Sequence, residues 1–286
     1  MRGMTNNLDK RINYKLLNQM LQDELFNALE AELTELLKDD LAPCDAMKLN
    51  QILGEVLSNL GKYTQSLTAS KKSLNICVTQ NDIENIAKTY SNLIVILAHL
   101  NRYEEATYCA KLSIYYYKQF NLTIELAHAY NNLAYVYKKQ EKYIEAIEVF
   151  YRTSLLECIE NDVKLYLTIH CNLATLYLIT KNYPMFQKQL HILEPKVQEA
   201  DLFTLNVFFN RLKACLYYYQ DDSINYQKSL ATISHLNSYL TIISGEARFY
   251  SFLLTIATDK KNEDDIKLFS EKYAAAEALY NEQKST

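Results

Sequence analysis

The sequence predicts an all-α protein, a right-handed superhelical solenoid of about six or seven helical hairpins. Three observations predict it. The 286 residues include only 4 Gly and 3 Pro, too few for the positive-φ and preset-φ turns of a sandwich, barrel or doubly wound sheet. Tyrosines stand at 63, 103, 143 and 183, forty residues apart each time, and a fixed period of that size marks stacked repeats. Between them the apolar residues keep helical spacing: Leu133, Val136 and Tyr137 share a face with Gln140.

Each tyrosine closes a short polar connector: Gly61-Lys62-Tyr63, Asn101-Arg102-Tyr103, Glu141-Lys142-Tyr143 and Lys181-Asn182-Tyr183. Eleven residues before the last three stand Asn92, Asn132 and Asn172, each followed by leucine (Leu93, Leu133, Leu173). After the third connector, Ala146, Ile147, Phe150 and Ser154 form a second stripe. Each unit is therefore two antiparallel helices joined by a tight turn. One pair cannot bury both of its faces, so the pairs must stack.

The expected pairs cover residues 8–39, 46–79, 83–119, 123–160, 163–199, 201–237 and 238–280, as one domain over 8–280. The first is a degenerate pair striped by Leu25, Leu29, Leu33, Leu36 and Leu37. Pro184 falls in a first helical turn, where its missing N–H costs nothing. The sixth pair turns around Gln220-Asp221-Asp222 and the last between Asp259 and Asp264. Residues 1–7 are expected to be disordered or carried over from cloning, and 281–286 to be a frayed tail.

Composition narrows the function. A formal net charge of -4 argues against a general nucleic-acid binder. No apolar run is long enough to span a bilayer, and the N-terminus has no apolar signal core. Cysteines 44, 77, 109, 158, 171 and 215 form no CxxC pair, so they read as reduced, mostly buried thiols in a cytoplasmic protein. No GxGxxG, GxxxxGK[ST] or HExxH is present, and the five histidines are scattered. No helix-turn-helix pattern occurs between Leu8 and Asp40. Glu104-Glu105 and Asp264-Asp265 sit at helix starts, where they favour the macrodipole. No catalytic residue, metal or cofactor is expected, and the chain is read as a non-enzyme.

Asn132-Leu133-Ala134-x-x-Tyr137, followed by Glu141-Lys142-Tyr143-x-x-Ala146 and Phe150, resembles the tetratricopeptide repeat. The preceding unit keeps Asn92-Leu93 and Arg102-Tyr103-x-x-Ala106; the following one keeps Asn172-Leu173-Ala174-x-x-Tyr177. The forty-residue unit is longer than the usual repeat of this family, which implies longer helices or loops. In such hairpin stacks the first helices line the concave side. Residues four before, at, three after and seven after each Asn share a face. They are Lys88, Asn92, Val95 and His99; then His128, Asn132, Tyr135 and Lys139; then Thr168, Asn172, Thr175 and Ile179. A carboxamide both donates and accepts, so a row of them could pair with the backbone of an extended peptide. The competing reading is that each Asn bonds only to the neighbouring helix.

Repeats of this length with a groove Asn are similar to the Rap/NprR/PlcR/PrgX group of cytoplasmic peptide receptors from Gram-positive bacteria. That resemblance implies a quorum-sensing role in which Asn92, Asn132 and Asn172 hold a peptide backbone. The candidate peptide-binding set is these three with Lys88, His99, His128, Asn131, Tyr135, Lys139, Thr168, Thr175 and Arg211. Expected partners are a short linear peptide, a response regulator or other protein, and a second copy in a homodimer, with no membrane or direct nucleic-acid contact. The output would be control of transcription or of a response regulator. The alternative is a general protein–protein interaction scaffold. The carboxylate clamp of chaperone-tail binders is absent: Ser91 and Val95, Asn131 and Tyr135, Cys171 and Thr175 stand at its positions.

Overall fold

The computed structural model describes residues 12–200, 203–237 and 244–285, all helix or turn with no strand among them. Fourteen α-helices are described: α1 (Tyr14–Gln22), α2 (Phe26–Leu36), α3 (Pro43–Asn59), α4 (Tyr63–Gln80), α5 (Ile83–His99), α6 (Tyr103–Gln119), α7 (Thr123–Lys139), α8 (Tyr143–Ser154), α9 (Val163–Ile179), α10 (Tyr183–Ala200), α11 (Phe203–Tyr219), α12 (Ser223–Asn237), α13 (Ser244–Lys260) and α14 (Glu263–Ser285). The expected leader at 1–7 lies outside the described residues. Of the expected frayed tail at 281–286, all but Thr286 is described and belongs to the last helix, which runs through Ser285.

A twenty-residue rhythm explains the forty-residue period. From α5 to α7 each helix has 17 residues and each connector three. Most described connectors hold one left-handed residue: Glu24, Gly61, Asn81, Asn101, Asn121, Glu141, Lys181, Asp221 and Lys261 all have φ between 53° and 72°, whereas the α2–α3 and α8–α9 connectors hold none. That residue bends the chain back so that its neighbours cap the helix it ends. Lys62 N donates to Leu57 O at 2.8 Å, Arg102 N to Leu97 O at 2.9 Å, and Asn182 N to Tyr177 O at 2.7 Å. This is the Schellman arrangement, which satisfies carbonyls the helix end would leave bare. The next residue often caps the following helix with its side chain. Asp82, Asp162, Asn182, Asp222 and Asn262 accept from the backbone N–H three residues on. Such caps contribute about 1 kcal/mol each.

The rhythm breaks after α7. α8 stops at Ser154, and a 3-10 turn over Glu157–Asn161 replaces its last turn. The break places Ile159 at 0 % exposure and brings Asp162 to the start of α9.

The described chain divides into two compact units, Met1–Glu141 and Lys142–Thr286, where the sequence suggests one run of pairs. The division falls inside the 123–160 pair. In the first unit, each helix packs on its partner (α3 on α4, α5 on α6), and first helices also pack on each other (α5 on α7). The core there is Leu67, Leu93, Ile94, Ile96, Leu97, Ala106, Ala110, Leu133 and Val136. Close approach needs small residues at fixed register. A Cβ on Gly54 would stand 2.6 Å from Ser70 Oγ, and Ser66 Oγ donates to the Gly54 carbonyl at 2.6 Å. In the second unit Phe150, Leu167, Ile169, Leu173, Leu176, Phe186 and Leu193 are at most 1 % exposed.

Candidate functional site

In the first unit the first helices α3, α5 and α7 enclose an open groove of about 640 Å³. Gly54, Glu55, Ser58 and Asn59 line it from α3, and Glu84, Lys88, Ser91, Asn92, Val95 and Ile96 from α5. Glu125, His128 and Asn132 come from α7, Tyr117 from α6 and Leu122 from the connector between them. The short connectors put these helices side by side, so residues forty apart face the same space. Four of the sequence-predicted residues, Lys88, Asn92, His128 and Asn132, meet there.

The two groove asparagines differ. The Asn92 side chain makes no hydrogen bond among the described residues, so its amide can serve a ligand. Asn132 Nδ2 lies 3.5 Å from Ser91 O, and Asn131 Nδ2 lies 3.4 Å from Asn132 Oδ1. Asn132 is therefore also a link from α7 to α5. The Oδ1 of Asn131 is buried without a hydrogen-bond partner. Lys88 is exposed and forms no ion pair among the described residues. Burial, reinforced by Glu125, pushes the Tyr117 phenol up to about 12, so it is a neutral wall.

Three expected residues form a separate cluster. The His99 ring stacks on Tyr63, with centroids 4.2 Å apart and planes 6° off parallel. His99 Nε2 and Tyr135 Oη share a hydrogen bond at 3.2 Å, and Lys139 Nζ sits 5.6 Å from the Tyr135 ring. These contacts fasten the C-terminal ends of α5 and α7; none of the three lines the groove. Two of the connector tyrosines have bonded hydroxyls: Tyr103 donates to Asn101 Oδ1 at 2.8 Å and Tyr183 to Asp259 Oδ2 at 3.0 Å.

The second unit holds the remaining predicted residues. Thr175 is 3 % exposed and its hydroxyl donates to Cys171 O at 2.8 Å, which corrects its placement on a ligand-facing stripe. The cause is that α9 is apolar nearly all round and buries that face too. Thr168 is exposed, and its hydroxyl donates to Lys164 O. Asn172 is half-buried. Arg211 is buried. His170, absent from the predicted set, is buried with Nδ1 2.8 Å from Gln189 Oε1.

The acidic side of the groove was missed. Glu55, Glu84 and Glu125 contribute three carboxylates against the one ammonium of Lys88. Part of the signal was present: Glu84 precedes Asn92 by eight residues and Glu125 precedes Asn132 by seven, two turns up the same helix face. Among the described residues no cluster of His, Cys, Asp and Glu is arranged to hold a metal, and no helix is long and apolar enough to cross a membrane.

The tetratricopeptide repeat model matches residues 126–153, which span α7 and α8. The fold is that of a tetratricopeptide-repeat solenoid. The apo form of RapI is similar over 96 % of this chain and 98 % of its own, with a TM-score of 0.76 at 12 % identity. A Rap protein complexed with competence and sporulation factor is similar over 94 % of this chain and 75 % of its own, with a TM-score of 0.72 at 12 % identity. Aspartyl phosphate phosphatase F from Bacillus subtilis is similar over 91 % and 68 %, with a TM-score of 0.73 at 12 % identity. No curated protein matches the sequence.

Proposed function

We propose that the chain is a peptide-binding regulatory protein whose groove between α3, α5 and α7 takes a short linear peptide. The observation that carries this reading is the groove itself. It is an open channel between parallel first helices with a free carboxamide at Asn92, a second at Asn132 and apolar Val95 and Ile96 beside them. An extended peptide exposes N–H and C=O groups that such amides can pair, and its alternate side chains can use the apolar patches. The solved Rap complex supports the reading, because that protein of the same fold was captured with competence and sporulation factor. Three carboxylates against one ammonium favour a peptide with net positive charge, including its own N-terminal amine. On binding, the peptide would shift helix packing toward one of two states and so control a protein partner such as a response regulator. The role is binding, with no catalytic residue assigned.

The test is thermal unfolding of wild type and Asn92→Ala with a pool of short synthetic peptides. Stabilisation of wild type that the variant loses supports the groove. No stabilisation by any peptide moves the reading to a scaffold for folded proteins, in which the Asn132 link to Ser91 is purely structural.

A further inference from the structure

Arg211, on α11 of the second unit, is 4 % exposed, yet neither its Nε nor its Nη2 has a hydrogen-bond acceptor. A buried guanidinium is costly unless its N–H groups are satisfied. Glu246 on α13 offsets part of this through its charge. Burial is the larger effect and pulls the Arg211 pKa down. The neighbouring Tyr250 phenol is pushed up by burial and is no counter-ion.

The two unpartnered groups are the pair that forms a side-on fork. The same molecule shows the fork filled: Arg102 donates from Nε to Glu105 Oε1 and from Nη2 to Glu105 Oε2, both at 2.6 Å. Arg211 presents that geometry with no carboxylate on it. Its place in the repeat points the same way. Counting back by forties, position 211 matches Cys171, Asn131 and Ser91. Ser91 lines the groove of the first unit, and Asn131 also holds a buried, unpartnered polar atom. Asn131 and Arg211 thus share a register, eighty residues apart, and each leaves a buried polar atom unpartnered.

We propose that Arg211 anchors a second ligand site, one that takes a carboxylate bidentately on Nε–H and Nη2–H. A carboxylate suits it better than a phosphate dianion. The group must be small and planar to fit a side chain this enclosed, and the nearby Glu246 charge repels a dianion more strongly than a single charge. The site is built within the second unit.

The experiment uses the whole protein. The Arg211 Nε–H signal is followed by NMR and assigned by its loss in Arg211→Lys. Acetate, inorganic phosphate, an acetylated dipeptide with a free C-terminus, and an amidated peptide containing Asp are each titrated in. The expected result is a saturable shift with acetate and weaker binding of phosphate. The two peptides then show whether a C-terminal or a side-chain carboxylate fits. Arg211→Lys keeps the charge but loses the fork, and should bind acetate on the order of tenfold more weakly. Without ligand, Arg211→Met should melt higher than wild type, because an unsatisfied buried charge is gone. A signal that acetate and both peptides leave unmoved overturns the proposal. So does an Arg211→Met variant that melts lower without ligand, since the fork is then satisfied within the fold.

Discussion

The Nδ2 of Asn132 lies 3.5 Å from the Ser91 carbonyl oxygen on the neighbouring first helix, so a groove residue is also a strut between helices. Its counterpart forty residues earlier, Asn92, has no such bond among the described residues. Identical residues at identical repeat positions therefore carry different loads.

Alanine at each position should separate the two loads. Asn92→Ala should weaken peptide binding and leave the urea midpoint unchanged. Asn132→Ala should weaken binding and also lose roughly 0.5–1 kcal/mol of stability, a small amount because the bond is long. Equal stability of the two variants would mean that the Ser91 contact contributes nothing. Equal peptide affinity to wild type in both would remove the asparagines from the site.

The groove's charge makes a second prediction. If the ligand is cationic, Glu84→Gln and Glu125→Gln should each weaken binding by a factor of a few, the scale of partly exposed ion pairs, or about 0.2–1 kcal/mol. The loss should shrink as salt is added. Isothermal titration at low and high salt reads both effects. Tighter binding in either variant would reverse the assigned ligand charge.

The hairpins were legible because the forty-residue period repeats chemistry that the turns demand. The tyrosine opens the second helix of each hairpin, and the Asn-Leu pair eleven residues earlier marks the middle of the first. What stayed hidden was the half-period. Asn81 and Asn121 make the same left-handed turn between hairpins that Gly61 and Asn101 make within them, but no tyrosine follows them to draw the eye. The site was half legible. Lys88, Asn92, His128 and Asn132 follow from helical spacing alone. His99 and Tyr135 lie on the same stripe but are taken up by Tyr63 and by each other, a contact between hairpins that spacing within one helix cannot show. Thr175 failed for a different reason: a stripe is ligand-facing only if the helix has a wet side, and α9 is buried over most of its circumference.

The connectors can be improved by one substitution. Glu141 is exposed and holds φ at 60°, a conformation that costs a side-chain-bearing residue about 1–2 kcal/mol. Glu141→Gly should therefore raise stability by roughly 0.5–1 kcal/mol, after the added freedom of the unfolded chain is subtracted. Gly61 gives the reverse experiment. It has φ of 72° with nothing within 4 Å of a new Cβ, so Gly61→Ala should lose about 1 kcal/mol through backbone strain alone. Urea unfolding reads both, and opposite signs are required.

His170 predicts how stability responds to acid. Its ring is 6 % exposed, packs 4.4 Å from the Tyr166 ring, and lies 2.8 Å from Gln189 Oε1 through Nδ1. Burial lowers its pKa below the ordinary 6.5, and the Gln189 bond offsets only part of that. The unfolded chain therefore takes up a proton that the folded chain refuses. Stability from this residue is complete above the unfolded value of 6.5 and is lost as pH falls from there toward the lower folded pKa. The slope is at most about 1.4 kcal/mol per pH unit. Urea midpoints measured from about pH 7.5 to about pH 5.5 should fall for wild type and fall less for His170→Asn, which does not titrate there. The variant will start from a lower midpoint because it packs less volume, so the slope and not the level carries the test. An unchanged slope would assign the acid sensitivity to other groups.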